Sequence, residues 1–344
     1  MRPTIARVAL PVPLDKQFDY AIPGGHLFPI IGGRVSVPFG RQTLVGIVTA
    51  MVNHSDFPKD QLKPIKAVLD SQPIWSEKLY SLLTWCSQFY QYPLGDTLHN
   101  AMPAALRKGK PADFATLQEW QITESGKDKL MQGLDRRAVK QQKVLQMLVN
   151  GALPHQEFVD QEIASTVLKS LEEKGWIERI EKKPVITQWG GQHVECDVEK
   201  PKLNHEQALA IASVNSQTGF ASYLLEGVTG SGKTEVYLNL IKPVLEKGKQ
   251  ALVLVPEIGL TPQTINRFKR RFNVPVDVIH SGLNETERLN AWLSARDKAA
   301  GIIIGTRSAY SRLLLISGLS LWTRNMTPLT NSKIACVIMH AMLL

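Results

Sequence analysis

Short apolar stretches separated by glycine, proline and other turn residues characterise the first hundred residues of the chain. Stretches of this kind, bounded by turn residues, predict short β-strands. The four predicted strands cover residues 7–13, 18–22, 33–38 and 44–52. They indicate a small twisted sheet or barrel at the start of the chain.

A helical period follows from about Ser76. Apolar side chains recur there at intervals of three and four residues, which predicts a helix with one buried face. The residues of this face are Leu79, Leu82, Leu83, Cys86 and Phe89. Aromatic residues at helical spacing are typical of a core, although exposed ones can stack on nucleic-acid bases. We therefore expect core positions, with base stacking as the alternative, for Trp85, Phe89, Tyr90 and Tyr92.

Three helices and a strand are predicted between residues 114 and 184. The helices lie within residues 139–148, 158–163 and 166–174, and the strand covers residues 176–180. Three helices that end in a wing-like hairpin are typical of a winged-helix domain.

The third of these helices would be the recognition helix of the winged helix. Its candidates for DNA contact are Ser165, Lys169 and Ser170. Nearby acidic side chains reduce the local positive charge, namely Glu172, Glu173 and Glu178. Contact with a protein is therefore as well supported as contact with DNA.

Apolar stretches of strand length recur in the second half of the chain. They cover residues 222–225, 250–256, 276–279 and 301–304, and each precedes a loop of small and polar residues. A near-continuous apolar run indicates a buried parallel strand, and open α/β sheets bind their ligands at the carboxyl ends of such strands. We therefore expect a binding site along this edge of the sheet.

The loop after the first of these strands carries a complete phosphate-binding motif. Its glycines allow consecutive backbone N–H groups to surround the phosphates of a nucleotide. Lys233 would reach the β- and γ-phosphates, and the hydroxyl of Thr234 would ligate Mg²⁺. We expect catalytic roles for Lys233 and Thr234 in a nucleotide-binding loop of Gly227, Val228, Thr229, Gly230, Ser231, Gly232, Lys233 and Thr234.

Composition adds a preference for a polyanionic partner. The formal net charge is +9, and lysine and arginine that neutralise phosphates gain affinity by releasing condensed counterions. The three cysteines, Cys86, Cys196 and Cys336, form no CxxC pair and indicate neither a disulfide framework nor a zinc site. Because no stretch is typical of a signal peptide or a membrane span, we expect a cytoplasmic protein without a membrane partner.

Four motifs occur in the order found in the first motor lobe of superfamily 2 helicases: GVTGSGKTEVYL, LVPEIGLTPQ, HSGL and GTRSA. Together they resemble the PriA family of bacterial DNA helicases, the primosomal replication proteins N′. The resemblance implies that the P-loop holds ATP and Mg²⁺ and that Gln207 contacts the adenine. It also implies a track for single-stranded DNA lined or supported by Pro256, Thr261, Gln263, His280, Ser281, Thr306 and Arg307.

In this family the N-terminal module recognises the 3′ end of a nascent strand at a replication fork. The matching positions are Phe18, Asp19, Gly40 and Lys63. An aspartate can accept from a base or a 3′ hydroxyl, a glycine allows close approach, and a lysine can meet a phosphate. The resemblance implies a monomer whose partners are forked and single-stranded DNA, single-stranded DNA-binding protein and other primosome proteins. Without it, Asp19 would be interpreted as a turn residue and Lys63 as a solvated charge.

The sequence departs from the family pattern after Ala309. The family continues into an Asp-Glu-x-His box whose acids hold Mg²⁺ and orient the attacking water, whereas no aspartate or glutamate follows Asp297 here. We hypothesise that residues from about Tyr310 onward are translated out of frame. The clustered cysteines that hold the family's zinc ions and the second motor lobe have no counterpart in this sequence. We therefore expect weak binding of ATP and Mg²⁺ without unwinding of DNA.

These patterns predict a multidomain α/β protein. A small β-rich 3′-DNA-end-binding domain covers residues 1–105, a winged helix covers 114–184, and a connector covers 185–202. An incomplete RecA-like P-loop motor lobe over 203–309 and an aberrant tail over 310–344 complete the prediction. The favoured function is that of an ATP-dependent 3′-to-5′ DNA helicase of the primosome that restarts replication at stalled forks. The alternative is a truncated, non-catalytic fragment that binds forks or 3′ ends.

Overall fold

The protein folds into two compact units in a computed structural model. One unit combines residues 1–113 with 186–344, and the other covers residues 114–185. The structure describes residues 3–24, 27–114, 116–134, 138–182, 187–190, 194, 201–217, 219–228, 230–256, 260–306, 317–324 and 333–340.

The N-terminal module of the first unit contains a five-stranded antiparallel sheet. Its strands are β1 (Ile5–Ala9), β2 (Phe18–Ala21), β3 (Arg34–Phe39), β4 (Gln42–Val52) and β5 (Ala67–Val68). They are arranged in the order β2-β1-β4-β3-β5, so each of the four predicted strands is present and β2 lies at an edge. Three helices follow: α1 (Glu77–Phe89), α2 (Leu94–Asn100) and α3 (Ala104–Arg107).

A buried ion pair connects β3 to the segment that follows β5. The side chain of Arg34 is fully buried, and its Nη2 and Nε donate to the two carboxylate oxygens of Asp70 at 2.7 and 2.8 Å. Its Nη1 donates to the carbonyl oxygens of Leu106 at 2.7 Å and Lys110 at 2.8 Å. Arg34 therefore holds together three segments that are distant in the sequence.

The aromatic residues of α1 and the turn after it are exposed, so the prediction that they belong to the core was wrong. Phe89, which was also assigned to the buried face, is 62% exposed and stacks on Trp85 with ring centroids 4.8 Å apart. The buried stripe of α1 instead consists of Leu79, Leu83 and Ser87. At about 100° per residue, position 89 lies far around the helix from this stripe. Base stacking by these aromatic residues stays a prediction.

The buried stripe of α1 contributes more to stability than the exposed aromatic residues do. We expect Leu83→Ala to lower the free energy of unfolding by about 2–3 kcal/mol, because it removes buried methyl groups and leaves a cavity. We expect Trp85→Ala to cost no more than about 1 kcal/mol, since it loses the stacking on Phe89 but little burial. Urea denaturation followed by circular dichroism compares the two variants, and a larger loss for Trp85→Ala would contradict the assignment.

The second unit combines a small sheet with four helices. Its elements are β6 (Leu117–Ile122), α4 (Glu124–Gln132), α5 (Val139–Leu148), β7 (Leu153–Pro154), α6 (His155–Asp160), α7 (Ser165–Glu173) and β8 (Ile177–Lys182). The strand order is β7-β6-β8, with β8 antiparallel to β6. The three predicted helices and the strand are present. β8 pairs with β6, a strand about 60 residues earlier that was not predicted from the sequence, and the predicted wing-like hairpin reaches residues that lie outside the described ones.

The region predicted to be a motor lobe, called the motor lobe below, contains a six-stranded sheet and four helices among its described residues. In chain order its elements are α8 (His205–Asn215), β9 (Ala221–Val228), α9 (Lys233–Glu246), β10 (Gln250–Leu254), α10 (Pro262–Arg271), β11 (Val276–Ile279), α11 (Glu285–Arg296), β12 (Ile302–Gly305), β13 (Ser317–Arg324) and β14 (Lys333–His340). The strand order is β11-β12-β10-β13-β14-β9. None of the helices that the structure describes is both long and apolar enough to cross a bilayer.

Two strands of this sheet come from the region that the sequence analysis set apart as an aberrant tail. β13 is parallel to β10, whereas β14 is antiparallel to both β13 and β9. The sheet is therefore mixed, and the lobe extends beyond residue 309. The reason is geometric, because the eight residues between β13 and β14 are fewer than the dozen or so that a parallel crossover needs. The out-of-frame hypothesis stays a hypothesis.

The predicted connector packs on the motor lobe where the structure describes it. Trp189 and Val194 lie against the core of the lobe. A side chain on Gly301 would approach the indole ring of Trp189 to 3.3 Å, so the two residues are in close contact. The N-terminal module also contacts this lobe, since Lys108 and Lys110 after α3 form ion pairs with Glu285 at the start of α11.

Candidate nucleotide-binding and DNA-binding sites

The loops with candidate residues lie at one edge of the motor-lobe sheet. β10, β11 and β12 are parallel, and β9 runs in the same direction because it is antiparallel to β14, which is itself antiparallel to β13. The carboxyl ends of β9, β10, β11 and β12 thus share one edge. This is the edge at which open α/β sheets bind ligands.

The P-loop connects β9 to α9 and has the backbone conformation that its glycines permit. Gly230 and Gly232 have φ angles of +84° and +79°, which only glycine adopts without strain. A side chain at Gly227 would approach the hydroxyl of Ser231 to 2.6 Å. A larger residue would therefore crowd the loop at Gly227 and be strained by its backbone conformation at Gly230 and Gly232. The predicted residue Thr229 lies outside the described residues.

Lys233 and Thr234 lie in the first turn of α9. The ammonium group of Lys233 donates to the carbonyl oxygens of Gly227 and Val228, both at 2.7 Å, and to the hydroxyl of Ser231 at 3.2 Å. The ammonium group thus lies inside the loop, where its positive charge would meet a bound phosphate group. These residues fit a nucleotide phosphate because they combine a fixed cation, a helix N-terminus and a glycine-lined turn.

The donor set for Mg²⁺ consists of the hydroxyl of Thr234, which the described geometry places next to Lys233. Within the described parts of the chain, no three His, Cys, Asp or Glu side chains cluster in a way that could hold a metal ion. The nearest acid in the sequence, Glu235, forms an ion pair with Arg271 of α10 at 3.2 Å. Thr234 fits the ligand that a P-loop supplies to Mg²⁺ beside the phosphates.

Gln207 lies against the P-loop. Asn204 and Gln207 form a capping box at the start of α8, in which the Gln207 side-chain oxygen accepts from the Asn204 N–H at 3.0 Å. The amide nitrogen of Gln207 donates to the carbonyl of Ser231 at 3.0 Å. Its carboxamide is held at both ends, but an amide group has a second N–H and its oxygen a second lone pair, so a contact with adenine does not require either bond to break. The adenine contact stays a prediction.

The other three loops of this edge contain the remaining candidates for DNA contact. The backbone joins the strand ends, because the Val255 N–H donates to Gly305 at 2.9 Å and the Thr306 N–H donates to Ile279 at 3.2 Å. Pro256, His280 and Thr306 therefore lie at neighbouring strand ends. Thr306 is buried, so it supports the loop from within and offers little surface to a ligand.

The side chains of these loops differ in how much they are engaged. Thr261 caps α10 by accepting from the Thr264 N–H at 3.2 Å, and His280 accepts from the Gly282 N–H through Nδ1 at 3.1 Å. Gln263 is exposed in the first turn of α10, and the carbonyl of Ser281 accepts from Arg288 at 3.0 Å. Arg307 lies outside the described residues.

The four candidates of the N-terminal module lie around the edge strand β2. Phe18 packs edge-to-face on Phe39 with ring centroids 5.2 Å apart, which brings it next to Gly40. Gly40 has a φ angle of +58° and open space within 4 Å of where a side chain would begin. The exposed residue Lys63 accepts through its carbonyl from the Ala21 N–H at 3.0 Å. Successive strand residues point to opposite faces, so the side chains of Phe18 and Asp19 are directed to different sides of β2.

Asp19 has a partner that the sequence analysis missed. Arg7, its cross-strand neighbour on β1, donates from Nε to Oδ1 at 2.9 Å and from Nη2 to Oδ2 at 3.2 Å. Burial alone would raise the pKa of Asp19, but hydrogen bonds from Arg7 and Ser55 and the charge of Arg7 lower it below its ordinary value. Asp19 is thus a fixed, ionised acceptor. No local sequence pattern reveals Arg7, because it is 12 residues away.

The predicted recognition helix α7 presents a mixed surface. Lys169 is exposed, Ser165 lies 3.4 Å from Nε2 of His155, and Ser170 accepts from Gln141 at 3.5 Å. Glu172 forms an ion pair with Arg179 of β8 at 2.8 Å. The face of α7 therefore carries both acidic and basic side chains, and its contact with DNA or protein stays a prediction.

Comparison with known proteins identifies three domain families along the chain. Residues 7–103 match a 3′ DNA-binding domain, residues 116–179 match the winged helix of primosomal protein N′-like proteins, and residues 200–339 match the res subunit of type III restriction enzymes. The third match extends through β13 and into β14.

Whole-sequence comparison finds similar proteins in several bacteria. The chain is 44% identical over 309 residues to the replication restart protein PriA of Haemophilus influenzae, covering 89% of this chain and 42% of that protein. It is 30% identical over 365 residues to PriA of Bacillus subtilis, covering 86% of this chain and 45% of that protein. The chain thus spans less than half the length of these relatives.

Proposed function

We propose, from the premise that this chain belongs to the family of the replication restart protein PriA, that it acts in replication restart at stalled forks. In this proposal the whole protein is an ATP-dependent 3′-to-5′ DNA helicase, and it works in the cytoplasm. Its partners are forked and single-stranded DNA, single-stranded DNA-binding protein and other primosome proteins. The matches to a 3′ DNA-binding domain, to the winged helix of primosomal protein N′-like proteins and to a res subunit support this proposal.

The observation that carries the proposal is the shared edge of the motor-lobe sheet. A P-loop with an inward-directed lysine lies there together with the loops of β10, β11 and β12. A motor that couples nucleotide binding to the movement of DNA needs the P-loop and the DNA-contacting loops at one edge. A change around the nucleotide phosphates can then reach the bound DNA. Mg²⁺, held through Thr234, would neutralise phosphate charge.

The role of residues 1–344 within this function is narrower. We infer that they bind ATP through residues 227–234 and recognise DNA ends through the N-terminal module. Hydrolysis requires an oriented water molecule and stabilisation of transition-state charge, and no acid follows Asp297 in this sequence to orient the water. We therefore expect this chain to bind nucleotide without turnover.

A second candidate function is a non-catalytic module for forks and 3′ ends. The geometry around Asp19 favours it, because Arg7 and Ser55 hold the carboxylate ionised and in place without a nucleotide. In this form the chain would bind DNA with the same preference in the presence and absence of ATP. The two functions therefore differ in whether ATP changes the binding of DNA.

End recognition is tested with forks that differ only in the 3′ terminus. We expect the chain to bind a fork with a 3′ hydroxyl about tenfold more tightly than one with a 3′ phosphate, because a fixed carboxylate accepts from the hydroxyl and repels the phosphate. Asp19→Ala should abolish this preference in fluorescence anisotropy.

The matched control is Asp15→Ala. Asp15 is exposed and lies four residues away, so the control makes the same change in net charge and should keep the preference. Equal binding of both forks by the unmodified chain would refute end recognition, as would an equal loss of preference in both variants.

A further inference from the structure

A basic groove lies in the second unit, on the side of α4, α5 and the end of α7. Its volume is about 880 Å³, and it is lined by Lys129, Leu134, Ala138, Val139, Lys140, Gln141, Val167, Lys174 and Trp176. Three of these nine side chains are lysines and none is acidic. We call this site the lysine groove. It contains none of the residues that the sequence analysis assigned to DNA contact.

Two lysines of the groove, Lys174 and Lys129, are held by neighbouring side chains that carry no negative charge. Lys174 donates to the side-chain oxygen of Gln141 at 3.1 Å and lies over the indole ring of Trp176, 4.8 Å from its centroid. Lys129 lies 6.0 Å from the same centroid. Cation–π contacts orient an ammonium group without neutralising it. Within the described part of this unit, Lys129, Lys140 and Lys174 form no ion pair, so their charge is available to an anion.

The backbone adds to the same positive potential. α5 begins at the groove with Ala138 as its N-cap, which has no side chain that can accept a hydrogen bond, and there is no acid in its first turn. The first N–H groups of a helix have no partner within the helix and favour anions. They strengthen the positive potential that the three lysines create.

The outward face of α7 has the opposite character. Glu172 and Glu173 lie on α7, and Glu157, Asp160 and Glu162 lie in or next to the preceding helix α6. The exposed Lys169 is therefore surrounded in the sequence by acids. A DNA backbone would meet like charge there and opposite charge in the groove.

We propose that the lysine groove binds the phosphodiester backbone of DNA, and that the winged helix docks on DNA through this groove and not through the outward face of α7. Lysine is a compact point charge that suits phosphates. Contacts with phosphates carry no direct information about the base sequence of the DNA. The choice of DNA over an acidic protein rests on the proposed function. The contact is independent of base sequence and of the 3′ terminus.

The test uses the full chain with Lys129→Gln, Lys140→Gln and Lys174→Gln combined. We expect this triple variant to bind forked DNA about tenfold more weakly at low salt, with equal loss for 3′-hydroxyl and 3′-phosphate forks. The slope of log affinity against log salt should fall by about 2–3, since each duplex phosphate contact contributes roughly 0.9. Fluorescence anisotropy over a series of salt concentrations gives both values.

A matched triple variant removes the same charge elsewhere in the unit. Lys127, Lys143 and Lys169 are exposed and do not line the groove. Replacing them with glutamine should therefore lower the salt slope by no more than half as much as the groove variant does. Replacement of the three groove lysines by arginine should retain binding. Thermal unfolding by circular dichroism shows whether each variant folds as the unmodified chain does.

The outcomes separate this proposal from the proposed function. An equal loss in both glutamine triples would overturn the groove, because only net charge would then matter. If the groove variant folds and binds DNA as well as the unmodified chain but no longer binds poly-L-glutamate, the groove binds an acidic protein and not DNA. If the unmodified chain binds 3′-hydroxyl and 3′-phosphate forks equally, end recognition is refuted. The loss of salt slope expected for the groove variant does not depend on that result.

Discussion

Replacing Arg34 with alanine is expected to lower the free energy of unfolding of the N-terminal module by about 3–5 kcal/mol. The guanidinium group is fully buried against Asp70, and it also donates to the carbonyl oxygens of Leu106 and Lys110. Its removal would leave a buried carboxylate and two carbonyl groups without these donors. The cost comes mainly from that uncompensated charge and less from the loss of attraction.

Two further variants test whether the loss of stability comes from the buried ion pair and not from the removal of an arginine as such. Arg41 is exposed in the turn between β3 and β4, so Arg41→Ala should change stability by no more than about 0.5 kcal/mol. The double variant Arg34→Met, Asp70→Leu should recover much of the loss, because it removes both charges together. Urea denaturation measures all three, and a cost below about 1 kcal/mol for Arg34→Ala would contradict the buried network.

The sequence predicts local structure well where neighbouring residues decide it. The four strands of the first module follow from short apolar runs between turn residues, and α1 follows from a helical period that begins after the cap Ser76. The orientation of α1 was not predictable in the same way. Phe89 is as apolar as Leu83, so a count of apolar positions assigns both to the core, although the helix turns Phe89 toward solvent.

The candidate sites likewise differ in whether neighbouring or distant residues form them. The P-loop is contiguous, so its residues and the role of Lys233 as the cation of the loop can be predicted from the sequence alone. Arg7, in contrast, contacts Asp19 across two strands, and Arg34 contacts Asp70 across 36 residues. The lysine groove collects residues from three helices. Such contacts depend on the tertiary fold, and no spacing in the sequence reveals them.

The sheet of the motor lobe shows how the length of a connection determines the direction of the next strand. The parallel strands β10, β11 and β12 are joined by the helices α10 and α11, whereas the short connection after β13 requires an antiparallel return. As a result β14, and not another parallel strand, pairs with the P-loop strand β9. The position of the P-loop at the shared edge is unaffected, because the direction of β9 stays that of β10.

Lys233→Ala is expected to weaken the binding of ATP about 100-fold, which corresponds to about 3 kcal/mol of lost charge-assisted hydrogen bonds. In the unmodified chain the ammonium group is already held within 2.7 Å of the carbonyl oxygens of Gly227 and Val228. Little side-chain freedom is therefore lost when it turns to the phosphates. Titration of a fluorescent ATP analogue with Mg²⁺ measures the affinity, and the ATP-dependent rise in unfolding temperature should disappear in the variant.

The control for this variant lies on the same helix. Lys242 of α9 is partly exposed and pairs with Glu246 at 3.3 Å, so Lys242→Ala removes an equal charge away from the loop and should retain ATP binding. Because no acid follows Asp297 to orient a water molecule, we expect ATP turnover on forked DNA to be the same in the unmodified chain and in Lys233→Ala. Turnover in the unmodified chain above that of Lys233→Ala would show that another group orients the water. Unchanged ATP affinity in Lys233→Ala would instead remove the P-loop from the proposed function.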